Sequence, residues 1–258
     1  MTQPNPLDSR DPWMLGPMAA AALLYLVINW SNSNTSFFLT LNQLSRWTGD
    51  AAWAHATVLG DTLVALTLLF IFAGRKPEVV WAGALAALLA ILWTHGLKTL
   101  FEMPRPPAVL PPDLFHLIGP ALKTKSFPSG HATMIFTLAA VLCLQITHSG
   151  WRTLLLLVAI VVGVSRAVVG VHWPLDILTG AFGGWMAGVF GSMLAQRYPI
   201  GLTSRVQIVI CLILAGCAVM VIARPDPIYE QTRIFQIVLA VTCLLAGASG
   251  IWKKYRTP

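Results

Sequence analysis

Eight apolar stretches, each near the about 20 residues a helix needs to cross a bilayer, run through this chain. They lie at roughly 13–30, 54–74, 79–100, 129–147, 151–169, 175–196, 206–223 and 234–252. They occupy most of its 258 residues and leave no room for a separate soluble domain. None carries a continuous period-two pattern, so helices rather than strands are expected. The composition agrees. Charged residues make up 10% of the chain, against about 25% in an ordinary soluble domain. Apolar residues make up 56%, and the mean hydropathy is +0.71. So few charges could not cover a soluble globule, and so much apolar surface excludes intrinsic disorder. The expected fold class is all-α, a polytopic membrane helical bundle. Trp13, Trp30, Trp151 and Trp252 stand at span ends, where tryptophan favours the headgroup layer. No small-residue cleavage site follows the first apolar run, so that span is expected to stay in the mature protein. Cys143, Cys211, Cys217 and Cys243 fall inside apolar spans without metal-ligand spacing and read as small core residues.

The formal net charge is +7, from 17 Lys and Arg against 10 Asp and Glu. That balance alone fits nucleic acid or an anionic surface. Position is more informative. With the N-terminus cytoplasmic, nine basic residues fall on the cytoplasmic side: Arg10, Arg75, Lys76, Arg152, Arg197, Arg205, Lys253, Lys254 and Arg256. Eight fall opposite: Arg46, Lys98, Arg105, Lys123, Lys125, Arg166, Arg224 and Arg233. The raw count does not orient the chain, but the second set contains a tight group.

Lys98 stands near the end of the third span, followed by Arg105-Pro106. The fourth opens with Pro128-Ser129-Gly130-His131. The fifth ends with Ser165-Arg166, followed by His172 and, at the start of the sixth, Asp176. Successive spans alternate direction, so these four ends share one membrane face. The residue types there suit phosphoryl transfer. Arg105 and Arg166 each offer a two-pronged donor set for phosphate oxygens, and Lys98 adds a point charge. Ser129 and Gly130 begin a helix, whose N–H groups and positive dipole end favour an anion. Pro174 suits a first helical turn. That places His172 at the helix entry and Asp176 where a carboxylate orients the imidazole. His131 remains as a proton donor to a leaving oxygen.

This pattern resembles the type 2 phosphatidic acid phosphatase superfamily. The likeness rests on Lys-x6-Arg-Pro, Pro-Ser-Gly-His and Ser-Arg-x5-His-x3-Asp, with all eleven fixed positions present. It covers roughly residues 54 to 196. The resemblance implies that His172 is the nucleophile and forms a phosphohistidine. Asp176 orients and activates it, and His131 protonates the leaving group. Lys98, Arg105, Ser129, Gly130 and Arg166 hold the phosphoryl oxygens. No metal or other cofactor is implied, because three cations stabilise the transferring group. Taken singly, Lys98 and Arg166 also read as snorkelling residues at span ends.

Three further residues are candidates for supporting parts. Ser165 adjoins Arg166. His95 lies one turn before Lys98, where a structural part is the plainer reading. Asp61 is the one acidic residue well inside a span, where a charge needs a partner or water. Pro104, Pro106, Pro107, Pro111 and Pro112 restrict the loop that carries Arg105. Lys123 and Lys125 read either as attractors of an anionic headgroup or as solvated charges. Residues 35–47 fit both an interfacial helix and a plain connection.

Setting aside Lys98, Arg105 and Arg166 as site residues leaves nine basics against five. Both termini are then expected in the cytoplasm, with the site on the periplasmic face of a bacterial inner membrane. The expected division is a phosphatase-type core over 1–200 and a two-helix extension over 201–258. The expected activity is metal-independent hydrolysis of a lipid phosphate. Candidate substrates are phosphatidic acid, phosphatidylglycerol phosphate, undecaprenyl pyrophosphate and the phosphates of lipid A. The rivals are a lipid phosphotransferase with the same site and a non-catalytic lipid-binding transporter. A vanadate-dependent oxidase shares the motif logic, but eight spans oppose it. The expected partners are the substrate lipid and the bilayer, not nucleic acid.

Overall fold

The computed structural model describes residues 11–223 and 229–256, and every regular element among them is helical. Arg10, and residues 224–228 of the last inter-span loop, lie outside the described residues. Helix α1 is Pro12–Trp30, followed by α2, Asn34–Asn42, and α3, Ser45–Thr48. Helices α4, Asp50–Val58, and α5, Thr62–Leu69, come next. Helix α6 is Pro77–Phe101 and α7 is the short Pro106–Val109. The remaining helices are α8, Gly130–Cys143; α9, Ser149–Val168; α10, Pro174–Arg197; α11, Ser204–Ala223; and α12, Arg233–Arg256.

Six helices among the described residues are long and apolar enough to cross a membrane. Two of the eight expected spans depart from a straight helix of full spanning length. The second breaks after Val58 and resumes at Thr62 with a bend of 62°. A close approach and a helix cap account for the break. A side chain at Gly60 would come within 2.8 Å of the His131 Cβ, so the backbones meet closely there. Asp61 then starts a new helix, its carboxylate accepting from the Leu63 N–H at 2.9 Å and the Val64 N–H at 3.3 Å. The fourth span is only 14 residues, about 21 Å of helix. It runs between α9 and α10, and most of its side chains are buried in protein. Trp30, Trp151 and Trp252 are exposed at helix ends, as interfacial anchors require.

Helix α10 is the centre of the bundle, packed on α1, α6 and α8. Its Gly180, Gly184 and Gly188 face α8 at helical spacing. A Cβ at Gly184 would lie 2.2 Å from the Thr133 carbonyl oxygen, and one at Gly180 would lie 2.6 Å from that of Ser129. Lipid supplies no hydrophobic drive between helices, so small residues that let backbones approach do the packing. The approach also builds the site end of the bundle, where the Ser129 N–H donates to the Asp176 carbonyl at 3.0 Å. Gly184→Ala is expected to cost about 1–3 kcal/mol by overpacking. The measurement is the thermal midpoint of the detergent-solubilised protein, and an unchanged midpoint would contradict this packing.

The stretch 35–47 is mostly helical. Phe38 is fully buried against Phe115 and Trp173, with ring centroids 5.6 and 5.2 Å away. The Asn42 amide donates to the Val168 carbonyl at 2.9 Å and so satisfies the C-terminal end of α9. The Asn34 side chain accepts from the Leu175 N–H at the start of α10. The connection thereby ties together the two helix ends that carry Arg166 and Asp176. Helices α11 and α12 pack on each other, on α5 and on the turn after it.

Candidate active site

The end of α6, the loop after it, the start of α8, the end of α9 and the start of α10 meet at one end of the bundle. Lys98, in the last turn of α6, donates from Nζ to the Lys125 carbonyl at 3.1 Å. Arg105 follows in the proline-rich loop and is 8% exposed. Its Nε donates to the Thr124 carbonyl at 2.8 Å, and its Nη2 reaches the Lys125 carbonyl at 3.4 Å. Its Nη1 donates to the Val171 carbonyl at 3.1 Å and to the His172 Nε2 at 3.2 Å. The guanidinium is thus held on three sides with its charge against the imidazole.

His172 is 1% exposed, in the turn between α9 and α10. Its Nδ1 lies 3.3 Å from the Asp176 Oδ2. That same oxygen accepts from the Ser126 hydroxyl at 2.5 Å and from the Trp173 N–H at 2.9 Å. The Trp173 contact is half of a capping box, so helix α10 itself fixes the carboxylate. Nε2 faces a guanidinium donor and must accept, which assigns the ring proton to Nδ1 and its donation to Asp176. Burial, then the charges of Arg105, Arg166 and Lys98, holds the His172 pKa well below the usual histidine range. The imidazole is therefore neutral at neutral pH, with an available lone pair on Nε2.

Arg166, in the last turn of α9, is 3% exposed. Its Nη1 donates to the Thr57 hydroxyl and, at 3.4 Å, to the Tyr229 hydroxyl. Its Nε has no hydrogen-bond acceptor among the described residues. A buried cationic N–H without an acceptor costs about 1–3 kcal/mol or more, which an anion at that position would relieve. The Arg166 carbonyl accepts from the Val171 and His172 N–H groups, both at 3.2 Å, and so shapes the turn that presents His172. Ser129 caps α8 through its side chain, Gly130 opens the helix, and His131 follows against Gly60. Among the described residues no group of three or more His, Cys, Asp or Glu comes together as metal ligands.

The three residues considered for supporting parts make local contacts within their own helices. Asp61 caps α5, the Ser165 hydroxyl donates back to the Val162 carbonyl at 2.6 Å, and exposed His95 donates to the Ile91 carbonyl at 3.1 Å. Each of these contacts serves a helix. The side chains of Lys123 and Lys125 are exposed, and it is their backbone carbonyls that meet Arg105 and Lys98.

Residues 78–199 match the sequence profile of the PAP2 superfamily. The Escherichia coli K12 protein YbjG, named provisionally as an undecaprenyl-diphosphatase, is 39% identical over 141 residues. That match covers 54% of this chain and 66% of YbjG. The lipid A 1-phosphatase of Rhizobium etli is 28% identical over 169 residues, covering 57% of this chain and 67% of that enzyme. The crystal structure of Aquifex aeolicus LpxE superposes with a TM-score of 0.55 at 36% identity, covering 64% of this chain and 95% of LpxE. This chain belongs to the PAP2 superfamily. Its named relatives place it among the lipid phosphatases of that superfamily.

Within this PAP2 chain, sequence reasoning missed Ser126, Thr57 and Tyr229. Ser126 stands two residues before the Pro-Ser-Gly-His motif, and that adjacency was its only signal. Thr57 and Tyr229 reach Arg166 from distant segments, and no local pattern marks either.

Proposed function

We propose that this PAP2-superfamily enzyme releases phosphate from a polyprenyl pyrophosphate, undecaprenyl pyrophosphate or a close analogue, by way of a phosphohistidine at His172. The observation that carries the reading is the chain Asp176–His172–Arg105. A carboxylate orients Nδ1, while a guanidinium N–H sits 3.2 Å from Nε2, where the oxygens of an incoming phosphoryl group would replace the imidazole as its partner. The similarity to YbjG favours the pyrophosphate substrate.

In the first step the Nε2 lone pair attacks the terminal phosphorus as the bond to the bridging oxygen breaks. His131 gives its proton to that oxygen, and the lipid phosphate leaves. Asp176 stabilises the charge that develops on the ring. Arg105, Arg166, Lys98 and the N-terminal end of α8 hold the three equatorial oxygens, whose charge the transition state spreads. In the second step water attacks phosphorus and gives a proton to His131. The P–N bond breaks, its electron pair returns to Nε2, and orthophosphate departs.

The nine-to-five distribution of basic residues supports a site on the outer face of an inner membrane, with both termini cytoplasmic. A second reading, a lipid A phosphatase with the same site, is favoured by the similarity to LpxE and to the Rhizobium enzyme. The test is phosphate release by purified protein from undecaprenyl pyrophosphate, lipid A, phosphatidic acid and phosphatidylglycerol phosphate, each with a chelator present. The expected result is the highest kcat/KM on the polyprenyl pyrophosphate, unaffected by the chelator and inhibited by vanadate. A higher kcat/KM on lipid A would decide for the second reading. Phosphate passed to a lipid instead of water would make the enzyme a phosphotransferase. A strict magnesium requirement would overturn the mechanism.

A further inference from the structure

We propose that Tyr229 is a positioning residue for the phosphate site, and that the α11–α12 pair serves to deliver it. The inference rests on the phosphatase reading above. Tyr229 lies between α11 and α12, beyond the residues 78–199 that match the superfamily. Its side chain is 4% exposed, in an apolar cluster with Ala54, Val58, Ile118, Val169 and Val171. A phenol hydroxyl in such surroundings needs a polar partner, and this one accepts from the Arg166 Nη1 at 3.4 Å.

The pair is built to hold that position. The Thr232 N–H and hydroxyl both donate to the Tyr229 carbonyl, at 2.9 and 2.7 Å. The Gln236 amide donates in turn to the Thr232 hydroxyl at 2.8 Å. The Arg233 guanidinium donates to the Val221 and Ile222 carbonyls and so joins the end of α11 to the start of α12. Thr57 and Tyr229 are neutral hydroxyl acceptors. They fix the orientation of the Arg166 guanidinium without neutralising it, as a carboxylate would. Its charge and its Nε–H are left for an anion.

The experiment uses the full-length chain with a Tyr229→Phe substitution, which keeps the ring and removes one hydroxyl. Inhibition by orthophosphate and by vanadate is measured beside kcat and KM. The inhibition constants are expected to rise about 3–10-fold, the effect of losing one hydrogen bond that orients the Arg166 guanidinium. In an Arg166→Lys background the same substitution is expected to add nothing, because it acts through that arginine. Unchanged inhibition constants in Tyr229→Phe, or effects that add fully to those of Arg166→Lys, would overturn the proposal. So would a lowered thermal midpoint with unchanged inhibition, since that is a packing role. If Arg166→Lys itself leaves orthophosphate inhibition unchanged, the phosphate-site reading fails as well.

Discussion

His172→Ala lowers phosphate release by at least about 10³-fold, the scale on which loss of a catalytic nucleophile is felt, while the protein remains folded in the membrane. The imidazole is 1% exposed and held at both nitrogens, by Asp176 on Nδ1 and Arg105 on Nε2. Neither helix flanking it depends on its side chain. Asp176 caps α10 through the Trp173 N–H, and the turn is shaped by the Arg166 carbonyl. The substitution therefore removes the attacking lone pair and leaves its frame standing. The checks are phosphate release under saturating lipid and the thermal midpoint in detergent. Near wild-type turnover in a folded variant would sink the histidine-nucleophile mechanism.

The second large effect is expected at Arg105. Arg105→Ala is expected to lower kcat/KM by about 10²–10³-fold, as loss of a preorganised charge at the transferring group does. Arg105→Lys is expected to recover little of it. The guanidinium engages the Thr124, Lys125 and Val171 carbonyls as well as His172, and an ammonium cannot reproduce that fork. The readout that separates chemistry from loop disorder is the split between kcat and vanadate affinity. Both are expected to fall in the alanine variant. Full activity in Arg105→Lys would mean that only a point charge is needed, and would contradict the geometric role given to this residue.

The bundle was legible because each apolar span is a local property of about 20 residues. The convergence of Lys98, Arg105, His131, Arg166, His172 and Asp176 was legible because alternating span direction settles which ends share a face. What escaped was non-local or carried by the backbone. The break at Gly60–Asp61 comes from a close approach to His131, a contact across 71 residues that no hydropathy window sees. The shortness of α8 follows from its position between α9 and α10, since a helix sheltered by protein need not match the bilayer thickness. Asp61 read as an intramembrane charge in search of a partner, and the break gave it the N–H groups of a new helix. The acceptors for Arg105 and Lys98 are the carbonyls of residues 124 and 125, which any side chain could have accompanied. Ser126, whose hydroxyl holds the Asp176 carboxylate at 2.5 Å, has no periodicity to announce it.

The most direct test of the central claim is rapid quench of the enzyme with a substrate labelled in its terminal phosphate, followed by mapping of the label. The account predicts transient phosphate on His172, labile in acid and stable in base, and absent from His172→Ala. Turnover that leaves no label on His172 at any quench time, or label on a different residue, would contradict it.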